Sequence, residues 1–506
     1  MIGLGRMTSV FRMRMLSAAG GALFVGLLVM CGCAVGPRYA RPSAPVPTDY
    51  KETPQNWKPA QPADQTLRGK WWEIYQDPEL NALEEKINIS NQSLKAAQAQ
   101  FAQARATVRF NRADYYPTIT AGVSASRERF SGNRPLVQAT GVTGTGVATT
   151  NDLIIPVDMS YEPDVWGRVR HTVEAARANA QASLADLESV NLSVHAELAV
   201  DYFSARELDS EAQLLDSTVA SYVKQLELTE NRYRGGVASQ VDVAQAQTQL
   251  ETARAQAIDV REQRTQFEHA IAVLIGEPAS TFTLPVAVLT ATPPVIPPGL
   301  PSELLERRPD IAANERLMAA ANAQIGVAKA AYFPLFNLSP SAGFESTTIT
   351  NWLSNPSAFA IVGASAVVTA FDAGRRRAAS DQARAGYDQT VANYRQDVLT
   401  AYEEVEDNLA ALRLLEDESN TQTLAVAASE HSLALSNNRY RGGVTTYLEV
   451  ITAQTTALSN ERTAVQISGR RMVDSVLLIK ALGGGWNAAS LSAVKMESRT
   501  PVPSGQ

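Results

Sequence analysis

The sequence predicts a mostly α-helical chain made of two structural repeats, each carrying a pair of membrane-type β-strands. Three observations predict it. The heptapeptide NRYRGGV occurs at 231–237 and again at 438–444. Upstream of both copies, apolar residues recur at steps of seven. Before each of those runs the period drops to two.

At 506 residues, 45% hydrophobic and 19% charged, the chain has the composition of folded domains rather than of disorder. Its net charge is −7 and it has no long Lys/Arg block, so nucleic acid is not an expected partner. The two cysteines, Cys31 and Cys33, sit near the N-terminus, which excludes a disulfide framework or a Cys-based metal site in the body. Residues 1–32 read as a targeting segment: Arg6, Arg12 and Arg14 precede an apolar run ending in LLVMCGC. That ending resembles a bacterial lipobox, which wants a small residue before the lipidated cysteine. Cys33 follows Gly32 and fits; Cys31 follows Met30 and fits less well. An ordinary cleaved signal is the other reading, and Met1, Met7 and Met13 all remain possible starts. Residues 33–70 are Pro-rich without apolar periodicity, an extended tether rather than a domain.

Residues 71–287 form the first repeat. Its strands alternate: Ile119, Ala121, Val123 and Ala125 against Thr118, Thr120, Gly122 and Ser124, then Leu153, Ile155, Val157 and Met159 against Asp152, Asp158 and Ser160. This predicts a β-hairpin over about 117–164, with a Gly/Thr-rich loop at 131–151. One apolar and one small-polar face suit a barrel wall between lipid and water, or a soluble sheet with one buried face. Leu184, Leu198, Ala205, Val219, Leu226 and Tyr233 then share one heptad frame, which predicts a long helix over 167–234. At ~1.5 Å per residue it would run about 100 Å, too long for one globular core, so it must lie beside other helices. Arg232 and Arg234 suit a helix C-terminus, and Gly235 and Gly236 can end it in the left-handed conformation. Ser239 and Asp242 read as a capping box opening a return helix over 239–276.

A Pro-rich linker at 288–310 leads to the second repeat, 311–486, with a hairpin at about 335–372 in which Pro340 weakens the third strand. A long helix at 374–441 follows, with Val398, Val405, Val426, Leu433 and Tyr440 in the heptad frame. Arg439, Arg441, Gly442 and Gly443 repeat the helix end, and Thr446 and Glu449 the capping box of a helix over 446–482. Residues 487–506 read as a flexible tail. Each tip is at once a helix end and a knob rich in Arg and Tyr, residue types enriched at binding hot spots. The four histidines, 171, 195, 269 and 431, form no metal or catalytic motif and read as helix-surface residues. No catalytic motif, metal site or cofactor site is legible, so an enzyme is not expected.

Taken with these residues, the chain resembles the outer membrane factor family, the TolC-like exit ducts of tripartite efflux pumps, in its lipoprotein branch. CAVGPRYARP after the lipobox, SYEPDVWGRVR and FDAGRRR at the strand-to-helix junctions, RRPDIAANERLMAAANAQIGVAKAAYFP and ALGGGW carry the resemblance, which spans most of the chain. It implies a homotrimer in which each chain gives four strands to a twelve-stranded outer membrane β-barrel set on a long periplasmic α-helical barrel. It implies a lipid on Cys33 (N-acyl and S-diacylglycerol) and no other cofactor. It further implies a periplasmic adaptor docking at the tips, Arg232, Tyr233, Arg234, Gly235, Gly236, Arg439, Tyr440, Arg441, Gly442 and Gly443, and an inner membrane pump of the resistance–nodulation–division (RND) class. Glu430, Asn437 and Asn438, just above the second tip, are candidates for a gate. The implied function is passage of small toxic solutes to the exterior. A duct for type I protein secretion is the alternative, and a periplasmic coiled-coil adaptor a more distant one.

Overall fold

The computed structural model describes residues 34–44, 46–52, 69–129, 149–297, 299 and 301–486. The targeting segment, Cys31 and Cys33, most of the 131–151 loop and the 487–506 tail lie outside them. The chain divides into two compact units. One comprises the residues up to Arg41, Ala104–Ala180 and Arg316–Val391; the other comprises Pro42–Gln103, Gln181–Glu315 and Ala392 onward.

The first unit holds the sheet. Strands β1 (Thr118–Ala121) and β2 (Ser124–Arg129) both pair antiparallel with β3 (Thr149–Ser160). The gap between them follows from Pro156: Gly122 donates to the Pro156 carbonyl at 3.1 Å, but proline has no N–H to return. Register is kept, since Ala121 faces Val157 before the gap and Ser124 faces Ile154 after it. Strands β4 (Leu335–Leu338) and β5 (Ser341–Ser346) flank Ser339 and Pro340 and pair with β7 (Ala364–Val367) and β6 (Ala358–Ile361) in one register, and the N–H that Pro340 lacks is missing from the ladder to β3. Pro340 therefore interrupts the third strand without ending it. Its carbonyl still accepts from Met159 at 2.9 Å. The ladder β3–β5 joins the two hairpins into one antiparallel sheet of four strands, of which β3 is continuous and the other three are interrupted. Residues 149–151, expected in the loop, open β3.

Each hairpin turns into a long helix through a glycine in the left-handed region, Gly167 (φ 84°) and Gly374 (φ 88°). An aspartate beside each caps the helix start. Asp164 accepts from the backbone of Val169 and Arg170 at 3.0 and 2.8 Å, and Asp372 from Gly374 and Arg376 at 3.1 Å each. These contacts account for the DVWGR and DAGR sequences. The strap at 34–41 has no helix or strand and is pinned: Val35 donates to the Trp166 carbonyl at 3.1 Å, and Asn322 to that of Pro37 at 3.1 Å.

The helices, in chain order, are α1 (Pro78–Ser90), α2 (Gln92–Ala113), α3 (Arg168–Arg234), α4 (Gln240–Leu274), α5 (Leu304–Arg307), α6 (Pro309–Ala330), α7 (Arg375–Arg441) and α8 (Tyr447–Ala481). The helix before the first hairpin is not continuous. It breaks at Asn91, whose extended ψ of 126° stops α1 and whose side chain accepts from Leu94 N to start again. The long helices α3 and α7 have 67 residues each and the return helices α4 and α8 have 35 each. The linker is shorter than 288–310, because helical turns begin at Pro301 and α6 at Pro309.

In the second unit Leu198, Ala205, Val398 and Val405 of the heptad frames are fully buried. Leu208 and Leu215 of α3 pack on Ala257 and Val260 of α4. A buried ion network ties the linker down. Arg206 pairs with Asp209 and Glu79 and donates to the Pro285 carbonyl, while Asp209 also accepts from Arg264 and from Ala287 N. The tether's end is held too, with Tyr50 buried, Lys51 N donating to Glu406 at 2.7 Å and Glu52 paired with Arg413 at 2.5 Å.

Candidate functional site

The registers decide which side chains share a face of the sheet, because successive residues of a strand point to opposite sides. Ile119 pairs with Met159, Ala121 with Val157, Ala125 with Leu153, Ile155 with Phe344 and Val157 with Ala342. Ala342 in turn pairs with Ala360, Phe344 with Ala358, Phe336 with Ala366 and Leu338 with Ala364. One face is thus apolar across all four strands. The other is small and polar along most of the first hairpin, pairing Thr120 with Asp158 and Ser126 with Asp152, and mixed along the second, where Asn337 pairs with Ser365 but Leu335 with Val367, Gly343 with Phe359 and Ser341 with Ile361. Every residue of β1 and β2 is exposed, on both faces. Among the described residues the outer edges are open as well: β1 and β2 pair only with β3, and β6 and β7 only with the third strand. Among the described residues no helix is long and apolar enough to cross a membrane. A face this apolar on a sheet exposed on both sides is what a barrel wall requires.

The tips lie in the second unit. Gly236 donates to Tyr233 O at 2.9 Å and Val237 to Arg232 O at 2.9 Å, with Gly236 at φ 73°. Gly443 and Val444 repeat these bonds to Tyr440 and Arg439, with Gly443 at φ 72°. Both are Schellman caps, which satisfy the last helix carbonyls. Gly235 and Gly442 extend the helix bonds to Asn231 and Asn438 at 3.0 Å, so Asn438 serves the cap through its carbonyl. Ser239 and Asp242 form a full capping box. Thr446 does not, and the sequence expectation fails there: its hydroxyl makes no cap bond. Glu449 is a methylene longer than Asp242 and is drawn elsewhere, accepting from Thr445 and pairing with Arg439 at 3.0 Å.

The two tips meet asymmetrically. The Arg232 guanidinium lies 4.6 Å over the Tyr440 ring and donates to the Arg441 carbonyl at 3.2 Å. Tyr440 also packs on Tyr447 at 5.2 Å and is 3% exposed, so it is core rather than a displayed docking residue. Tyr233 remains 46% exposed. Arg234, Val237, Arg441 and Val444 are exposed at the turns. Of the gate candidates, Glu430 is exposed and neighbours Glu461, whose carboxyl is pushed up by burial and by that neighbour. Asn437 has a buried side-chain oxygen with no partner.

Sequence reasoning missed one buried site. His195 is not on a helix surface. It is 2% exposed, its Nδ1 is 2.5 Å from fully buried Glu84, and it stacks on Trp72 at 4.4 Å. Burial holds Glu84 well above the usual carboxylate range and pulls His195 down to about 4. A fold-specific crossing of α1 and α3 makes this pair, and nothing in the spacing of 84 and 195 signals it.

The family model described as outer membrane efflux protein matches residues 83–277 and again 300–484. The chain belongs to the outer membrane efflux protein family. One match falls on each repeat. Among relatives, the probable efflux pump outer membrane protein TtgC of Pseudomonas putida is 31% identical over 468 residues, covering 92% of this chain and 95% of that protein. The cation efflux system protein CusC of Escherichia coli is 28% identical, covering 92% and 98%. The solved structure of the outer-membrane channel OprN superposes with a TM-score of 0.82 at 30% identity, covering 90% of this chain and all of that one. The fold is that of the outer membrane factor channels. These relatives support the efflux duct and not the protein-secretion alternative.

Proposed function

We propose that three copies of this chain close their sheets into one twelve-stranded barrel and pass small toxic solutes through it to the exterior. The single observation that carries this reading is the sheet itself: apolar across one face, small and polar along the first hairpin on the other, and open at both edges among the described residues. In lipid an unpaired backbone N–H or C=O costs several kcal/mol, so the first strand of each copy must bond the last strand of a neighbour. The exposed turn residues Arg234, Val237, Arg441 and Val444 offer a helical-hairpin adaptor its seat, and an inner membrane pump of the RND class supplies the energy. Cys33 carries the lipid that holds the N-terminus in the outer membrane, a reading supported by the strap just after it, which is tied down at Val35 and Pro37.

The test is the oligomer and its lipid. Protein extracted from outer membranes in mild detergent should run as a heat-resistant trimer, and palmitate should label it in wild type but not in Cys33→Ser. A monomer that leaves the membrane without detergent would overturn the barrel. Labelling that survives in Cys33→Ser would move the lipid to Cys31.

A further inference from the structure

The two tips share seven residues and one backbone conformation, yet their tyrosines fare differently. Tyr440 is covered by Arg232 of the other tip; Tyr233 is 46% exposed. Arg439, the repeat counterpart of Arg232, has a side chain 56% exposed that is parked against Glu449. The contact between tips is directional, from the arginine of the first to the ring of the second. A directional contact leaves one donor half and one acceptor half unused on every chain, and a closed ring of copies uses both.

A second observation points the same way. Ala246 of the first hairpin is buried against Tyr440, Tyr447 and Val450 of the second. Its counterpart Ala453, 8% exposed, lies instead at the floor of a groove of about 500 Å³ together with Ser436, Thr446 and Thr452. The face by which the first hairpin holds the second thus exists again on the second hairpin, unfilled. Leu226, which packs beside Tyr440, has Leu433 as its counterpart on that side.

We infer that Arg439 of each copy seats on Tyr233 of the neighbouring copy and donates to the carbonyl of that copy's Arg234. The contact repeats between chains what Arg232, Tyr440 and Arg441 make within one, and the occupant of the groove is the first hairpin of a second copy of this chain. The inference rests on the trimer proposed above and adds a named contact to it. It also gives the exposed Tyr233 a role that the fold of the single chain does not.

The experiment is a cross-link on full-length protein extracted from membranes. The double variant Tyr233→Cys with Arg439→Cys is treated with a short bis-maleimide and run on native and on denaturing gels. The expected result is covalent dimers and trimers from the double variant, none from either single variant, and an unchanged native trimer in all. The pair Arg232→Cys with Tyr440→Cys is the control, and should link within a chain and leave denatured mobility at the monomer position. An intact native trimer without covalent dimers would overturn the contact while leaving the trimer standing. Linkage of Tyr233→Cys to a different protein would assign the seat to a partner and overturn it too. Monomers on the native gel would overturn both the contact and the trimer.

Discussion

Replacing Glu84 by Gln tests whether burial keeps a proton on the Glu84–His195 pair. Both side chains are out of water and 2.5 Å apart. With the carboxyl held well above its usual range and the imidazole down at about 4, the expectation under test is that the folded pair keeps one proton at neutral pH. The unfolded chain behaves differently. Between about pH 4.3 and 6.5 it also binds one proton, on the imidazole, and above about 6.5 it binds none. The pH slope of stability follows the difference in bound protons, at about 1.4 kcal/mol per pH unit for one proton. In the wild type this pair therefore contributes nothing to the slope up to about pH 6.5. Above that its contribution falls as pH rises, until Glu84 gives up its proton. Glu84→Gln removes one proton from the folded state only. The variant gains stability as pH rises to about 6.5 and is level beyond it. The gap between wild type and variant should thus shift against the wild type by about 3 kcal/mol between pH 5 and pH 7. Loss of helical circular dichroism in guanidinium, measured at a series of pH values in one detergent, reads the gap. Parallel stability profiles across that range would refute the reasoning, because they would mean that the folded pair binds no proton and sits as a carboxylate against a neutral imidazole.

The helix starts at the two tips should respond unequally. Ser239→Ala removes a capping box and should cost about 1 kcal/mol at the first tip, while Thr446→Ala should cost a few tenths at most, as amide hydrogen exchange of α4 and α8 will report. On the sheet, Val157→Arg places a charge on the apolar face between Ala121 and Ala342 and should destabilise the protein in a bilayer by ~2–4 kcal/mol. Asp158→Arg, one residue along on the polar face beside Thr120 and Ser341, should cost much less. Folding titrations into lipid vesicles distinguish the two, and equal costs would reverse or abolish the face assignment.

The sequence is most legible where one local rule acts alone. The heptad frame in α3 and α7 and the glycines that end them show in the letters, because a helix repeats its own geometry and a Schellman cap needs little beyond a glycine in the left-handed region. Alternation marks the first hairpin for the same reason. The fourth strand is harder to read, since its apolar face is alanine at 358, 360, 364 and 366, and only pairing with Phe344 and Phe336 shows which side it presents. Tertiary choices do not show at all. Thr446 has a capping residue's chemistry, but Glu449 reaches Arg439 instead of closing the box. The buried Glu84–His195 pair, and the burial of Tyr440 where Tyr233 stays exposed, depend on which helices cross, and no spacing within one helix encodes that.

Pro156 and Pro340 show how the sheet bears a residue that strands normally exclude. Each sits in an interior strand, and the ladder continues in the same register on both sides of it. Each proline still accepts through its carbonyl, from Gly122 and from Met159, so the ladder loses a donor without leaving every neighbouring group unmet. Facing glycines relieve the crowding, since Gly343 stands opposite Pro156 and a Cβ there would run into the Ile155 carbonyl. A register kept through two such breaks keeps every side chain on its own face. That is the property a wall between lipid and water cannot lose, whereas a hydrogen bond or two it can.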